Sequence, residues 1–448
     1  MKLNKTLMTL ALAAGVASAA HAQTQNVYIS GSTAFRAQIY NALADLGLTV
    51  GNGLTSSANQ FNFTGTVNNS QTTYTGGSYT TLSGGTSVQI FCAFSGSSEG
   101  IYSEINSAQP VPGYLAIGST TPGTASAPDG ADIIFSDVQQ ASTQYTSTAL
   151  NELSTADGAA SSFGSGVGVV PFTWAVSAAG GGANPKITGI SAPETYALFT
   201  GGSAPLSFWT GNSGDASTSV DLIGRTNDSG TRITAELTAG FPVASYDPAQ
   251  PITQYYLATH GTANNNANMV TDLATLPAAA ANNVYLAISA GDAGVNNLTA
   301  LTGSGYAGYS SGGNVAKALA RGGVSPTPAY AVGYVAWSDA ASLSGGALPI
   351  LYQSENPTSV YPITTTSFTP GTTAWNIAGV ENGAYGFWSY EHCYTSANSS
   401  SFAVNSFGPD LLVALEYEII HTTPQTADVI ANLNVHRNAD GGPLKAGN

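Results

Sequence analysis

Residues 26–46, NVYISGSTAFRAQIYNALADL, decide the fold class. Asn26 to Ser30 is a short run of β-formers. Gly31-Ser32-Thr33 interrupts it, and Phe35, Ile39, Leu43 and Leu46 then recur at helical spacing. This reads as strand, turn and helix, with Ser32 or Thr33 as the expected cap. The unit returns at 87–105, SVQIFCAFSGSSEGIYSEI, where Ser95 to Ser98 form the turn and Glu99 opens the helix. It returns again at 220–237, VDLIGRTNDSGTRITAEL, with the turn at Arg225 to Gly230. Two apolar strands lie between the second and third copies. Ile133-Ile134-Phe135 ends in Ser136-Asp137, and Val167 to Val176 is long enough to cross from one domain to another. Ser191-Ala192-Pro193-Glu194 is a capping box with proline in the first turn, and its helix stops at Gly201-Gly202. Strands alternating with helices make an α/β protein.

Outward from these units the sequence loses pattern. Residues 48–86, 109–130 and 241–310 are rich in small and polar residues and read as insertions, the first as a β-hairpin or loop. Asp410 to Ile420 and Ala427 to Leu433 read as two terminal helices. The 448 residues are 43% hydrophobic, which excludes a wholly disordered chain. Only 8% are charged, against about 25% in an average protein. Ten Lys and Arg stand against 25 Asp and Glu, with a sequence pI near 4.4. That balance argues against nucleic acid and against docking on anionic lipid.

Lys2 and Lys5, the apolar run Leu7 to Val16 and the small-x-small site Ala20-His21-Ala22 predict a signal peptide over residues 1–22 and a periplasmic or otherwise exported protein. No later stretch is apolar enough to insert the mature chain in a membrane. Cleavage removes two lysines and no acid, leaving eight cations against 25 anions, net −17. In an exported chain Cys92 and Cys393 form either one disulfide or two buried thiols. The five histidines and two cysteines show no metal-ligand spacing, and neither a metal nor another cofactor is expected.

The three turns share one composition: Gly31-Ser32-Thr33, Gly96-Ser97-Ser98 and Ser229-Gly230-Thr231. Each sets small hydroxyl residues where a helix starts, and there free backbone N–H groups and the helix dipole favour an anion. Plain helix capping explains any one of them; three in consecutive α/β units point to an anion. Arg225 precedes the third turn at the carboxyl end of a strand, where ligands of open α/β sheets bind. Its guanidinium is a fixed fork of donors suited to a tetrahedral oxyanion. Arg36 and Arg232 sit one turn into their helices and read as surface charges. Asp137 is either a helix cap or an acceptor for a proton that the anion carries. Hydrogen phosphate has that proton near neutral pH and sulfate lacks it, so an acceptor there selects phosphate.

The pattern resembles the periplasmic phosphate-binding proteins of bacterial ABC transporters. Val27–Tyr40 (VYISGSTAFRAQIY) resembles the family's first strand and anion loop, Phe94–Ile105 (FSGSSEGIYSEI) its second loop, and Ile134–Asp137 (IFSD) its Ala-Ser-Asp strand end. Asp221–Thr231 (DLIGRTNDSGT) is similar to its Arg-x-Asp-x-Ser-Gly-Thr motif, with Asn227 in place of the Asp. Ala331–Ala340 (AVGYVAWSDA) and the helix at Ala192–Trp209 resemble landmarks outside the site. The resemblance implies a two-lobed type II periplasmic binding protein fold with β-rich loop insertions. One lobe would hold 23–165 and 375–448, the other 166–374. It implies a monomer that binds inorganic phosphate or a similar tetrahedral oxyanion, with an ABC permease as partner. It implies contacts from Ser32 and Thr33, from Ser97 or Ser98, and from Asp137, Arg225, Ser229, Gly230 and Thr231. The function is then binding and release, without catalysis.

Two other readings compete. Gly96-Ser97-Ser98-Glu99-Gly100 fits the G-x-S-x-G elbow of a serine hydrolase, which needs a histidine within reach of Ser98. The charge-poor insertions also suit a surface-layer or matrix protein built on a binding-protein fold.

Overall fold

A computed structural model of the chain describes residues 24–56, 58–67, 86–107, 110, 113–121, 130–152, 166–181, 185–241, 252–259, 283–287, 308–323, 328–340, 343–344, 346–353, 377–395 and 433–446. The expected signal peptide, the helix expected over 410–420 and most of that over 427–433 lie outside these residues, as do His260 and His421.

The chain opens with β1 (Gln25–Gly31), α1 (Arg36–Asp45), β2 (Thr49–Val50), β3 (Gln60–Val67), β4 (Thr86–Phe94), α2 (Ser97–Ile105), β5 (Ile133–Ser136) and β6 (Asn151–Glu152). Then come β7 (Gly166–Val176), β8 (Gly189–Ser191), α3 (Ala192–Gly201), β9 (Ser203–Pro205), β10 (Ser219–Ile223) and α4 (Gly230–Thr238). It continues through β11 (Tyr255–Thr259), β12 (Asn283–Ala287), α5 (Gly312–Ala320), β13 (Tyr330–Ala336) and β14 (Leu348–Gln353). It closes with α6 (Ile377–Glu381), β15 (Trp388–Thr395), β16 (Val435–His436) and β17 (Lys445–Ala446). The mixed α/β architecture follows the sequence reading, capping box at Ser191–Glu194 included.

One large sheet runs in the order β2-β3-β4-β1-β5-β15-β7-β13-β10-β9. In its first half β4 and β5 flank β1, both parallel to it. In its second half β10 and β13 are parallel. β7 joins the halves: residues 166–171 pair with β15 and residues 172–176 with β13, both antiparallel. Pro171 marks the change of partner, where a residue without an N–H costs the ladder least.

The core explains two departures from the sequence reading. β3 pairs with β4 along its whole length, and Phe61 and Phe63 on it are buried against Tyr40 of α1. The β-hairpin alternative for 48–86 thus holds for β2 and β3, which pair antiparallel, but β3 is also a full strand of the main sheet with its own apolar face. Helix α1 begins one turn later than a Ser32 or Thr33 cap requires: its N-cap is Phe35, and Ser32 Oγ instead accepts from Ala34 N–H in the preceding turn. Burying Phe35 fully beside Ile39 and Leu43 outweighs a side-chain cap worth about 1 kcal/mol.

Cys92 and Cys393 are buried thiols that are not joined in a disulfide. They lie on β4 and β15, with β1 and β5 between them. That is a separation of about 14 Å, beyond the roughly 7 Å that a disulfide spans between Cα atoms.

Candidate functional site

The carboxyl ends of β1, β4 and β5 lie side by side, because β1 sits between its two parallel neighbours. This is the switch point of an open α/β sheet. Gly31 ends β1 at φ +126°, and a Cβ there would lie 1.8 Å from the Phe135 carbonyl oxygen. Glycine thus lets the β1 turn cross the end of β5, fixed by Ser32 N–H donating to Phe135 O at 2.7 Å.

Turns from the second half meet these strand ends. Asp137 is the junction: Ser97 Oγ donates to its Oδ1, and Thr231 Oγ1 donates to its Oδ2 at 3.2 Å from the other half. Asp137 N–H donates to Ser97 Oγ at 3.2 Å. Gly230 opens α4 so close to this carboxylate that an added Cβ would lie 1.8 Å from Oδ1. Ser98 N–H at the start of α2 donates to Asp228 O at 3.0 Å, again across the halves. Ser229 caps α4 by accepting from Arg232 N–H.

Arg225 is 1% exposed. Its Nη2 donates to Thr33 Oγ1 at 3.2 Å and to Ser310 O at 2.9 Å, and its Nε donates to Tyr309 O at 3.1 Å. Tyr334 Oη receives its backbone N–H at 3.2 Å, and Gln254 and Arg232 donate to its carbonyl. The guanidinium is thus aimed at the first half's Thr33. Every residue expected at the site is buried and all lie in this junction between the halves; Gly230 contributes its backbone.

Arg36 and Arg232 are not free surface charges. Arg232 is buried against Glu236, Nε to Oε1 2.7 Å. Arg36 reaches across the halves to Asp339 Oδ1 at 3.2 Å. Asp339 lies three residues past β13, in the one-turn helix Trp337–Ala340, and like Asp137 it follows a serine, a Ser-Asp repetition visible in the sequence. Sequence reasoning also missed the Tyr309 and Ser310 carbonyls, which left no side-chain signal.

Burial pushes the Asp137 carboxyl upward, opposed by its bonds from Ser97 and Thr231 and by the Arg225 charge. Burial lowers the Arg225 guanidinium, opposed by Asp339 and Asp137. Asp228 is pushed up to about 7 by burial, with Arg232 and Arg225 pulling the other way. The arrangement supplies hydroxyls, two helix starts, a guanidinium and a carboxylate at one buried place. It suits a tetrahedral oxyanion that both accepts hydrogen bonds and donates one.

A hydrolase triad does not form among the described residues. Ser98 Oγ has no hydrogen-bond partner there. The His392 ring holds Glu152 through Nδ1 at 2.6 Å, and its Nε2 lies 3.9 Å from Asp440.

No helix among the described residues is long and apolar enough to cross a membrane. No protein-family description matches the chain, and no curated protein matches it. Solved structures similar to it include one described as a phosphate ABC transporter substrate-binding protein from Clostridium perfringens, with bound phosphate. The two are 11% identical over 89% of this chain and 97% of the other, with a TM-score of 0.38. Another is an ABC-type phosphate transport receptor from Vibrio cholerae, 13% identical over 89% and 96% of the two chains, also with a TM-score of 0.38.

Proposed function

We propose that the chain is an exported binding protein that captures inorganic phosphate between two lobes for uptake by an ABC permease. The lobes are 23–165 with 375–448, and 166–374, and residues 1–22 are a cleaved signal peptide. The reading rests on one observation above all: Asp137 is buried among hydroxyls drawn from both halves, with the Arg225 guanidinium bonded to Thr33 beside it. Ser32, Thr33, Ser97, Ser98, Ser229, Gly230 and Thr231 give the anion hydroxyl and backbone donors, Arg225 gives charge, and Asp137 accepts the proton-bearing oxygen. Nothing in this set activates a nucleophile, and the work is binding and release as the lobes open and close. The chain acts as a monomer in the periplasm.

Calorimetric titration of the phosphate-free protein with phosphate, sulfate and molybdate tests this. Phosphate binding with sulfate excluded is the expected result. No heat with any of the three removes the reading.

A further inference from the structure

A second carboxyl group stands behind Asp137. β15 runs antiparallel to β5, with Cys393 opposite Phe135 and His392 opposite Ser136. Glu391 is the next residue of β15 and Asp137 the next residue after β5, one step past the last pair of that ladder; on the other side of β15 the register with β7 breaks between Glu391 and His392. Residues that continue a ladder in this way remain neighbours across the strand pair, with Cβ atoms on the order of 5–8 Å apart. Glu391 is 0% exposed, and neither carboxyl oxygen has a hydrogen-bond partner among the described residues. On β7 its opposite number is Gly168, which brings no side chain. Tyr390 and His392 belong to the other face of β15, where aromatic contacts link Trp388, Tyr390, His392 and Tyr394. That face also holds Arg437, stacked on Trp388, and Glu152, paired with His392. Among the described charged groups, the one whose field acts on Glu391 is Asp137.

Two neighbouring buried carboxylates resist ionising together, and such a pair tends to retain a proton. Its location follows from the partners. Asp137 receives Ser97 and Thr231 and feels Arg225, all of which favour its charged form. Glu391 has none of these, and burial and the Asp137 charge both oppose its ionisation.

We propose that Glu391 sets the charge of the site: as a neutral carboxylic acid it holds the proton that lets Asp137 remain the negatively charged acceptor facing the anion. The inference rests on the anion reading of the site and adds a group outside the turns that form it. The proton stays on Glu391 and none passes to the anion. Ionising Glu391 would bring a second negative charge to a bound anion and weaken it.

The test has two readouts. The first is the infrared difference spectrum at pH 8 between the wild type and Glu391→Gln, with Glu391→Met as a second reference should the glutamine variant fail to fold. A carboxylic-acid C=O band in the wild type that is absent from the variant is expected. Its absence overturns the proposal whether or not anything binds. The second is the ratio of phosphate affinities of the wild type and the variant from pH 6 to 10, in which the ligand's own titration cancels. The ratio should stay constant while the band persists, then fall by about tenfold per pH unit once the band disappears, the slope of one linked proton. A band that disappears without any change in the ratio also overturns the proposal. A protein that shows the band yet binds no oxyanion removes the anion reading and leaves the shared proton standing.

Discussion

The two halves of the sheet bring different chemistry to their meeting line. The first half ends β1, β4 and β5 in hydroxyls and a carboxylate, and the Arg36 cation beside them is turned toward the other half. The second half follows β10 with a buried guanidinium and a Ser-Gly-Thr helix start, and follows β13 with a one-turn helix, Trp337–Ala340, that carries Asp339. Each half thus has an Asp shortly after a strand that is bonded by the other half: Thr231 to Asp137, and Arg36 to Asp339. Asp137 receives hydroxyl donors from both halves with the Arg225 charge acting on it, and on the proposed reading it discriminates protonated from unprotonated anions. Asp339 faces a cation and ties the halves together. The contrast teaches that, on the proposed reading, neither half holds a complete anion site. The proposed site is complete only where the halves meet.

The contrast breaks most visibly at Arg225. Arg225→Ala should weaken phosphate binding by about 100-fold or more, because it removes the charged donor at the junction. Lys317→Ala, at an exposed position on α5, should stay within about twofold by calorimetry. Equal losses would place the anion elsewhere. Asp137→Asn keeps the shape and removes the acceptor. Competition titration should show the phosphate-over-sulfate preference falling by roughly 30-fold, with sulfate gaining.

Asp339→Asn tests the tie between the halves. Its partner Arg36 is partly exposed, so stopped-flow release should accelerate by only about threefold to fivefold, with the anion preference unchanged. The smallest effect lies off the meeting line. Burial pushes the Asp221 carboxyl on β10 up to about 6. The folded protein resists its ionisation, so the stability it allows below about pH 4 is lost as pH rises through 6. Asp221→Asn should raise the melting temperature by roughly 5 °C at pH 8 and leave it unchanged at pH 4, with binding intact.

The first half was more legible than the second. β1 and β4 are short apolar runs closed by turns of Gly and Ser, and β5 is one closed by Ser136-Asp137, so local pattern suffices to find them. Arg225 was legible because so few cations exist. Its supports were not: Tyr309 and Ser310 act through backbone carbonyls, and they sit at the end of a stretch whose composition reads as an insertion. Glu391 was hidden for another reason. Its meaning depends on the register of β15 against β5, a pairing between segments some 250 residues apart that no local pattern encodes. The α1 cap was misplaced because packing of Phe35 decided where the helix starts.

The central claim is that one anion engages both halves at once. Amide hydrogen exchange on phosphate addition tests it most directly, with sulfate as the control. Slower exchange at Gly96 to Ser98 and at Ser229 to Thr231, with one common midpoint in phosphate, is the predicted result. Protection confined to one half, or equal protection by sulfate, would contradict it.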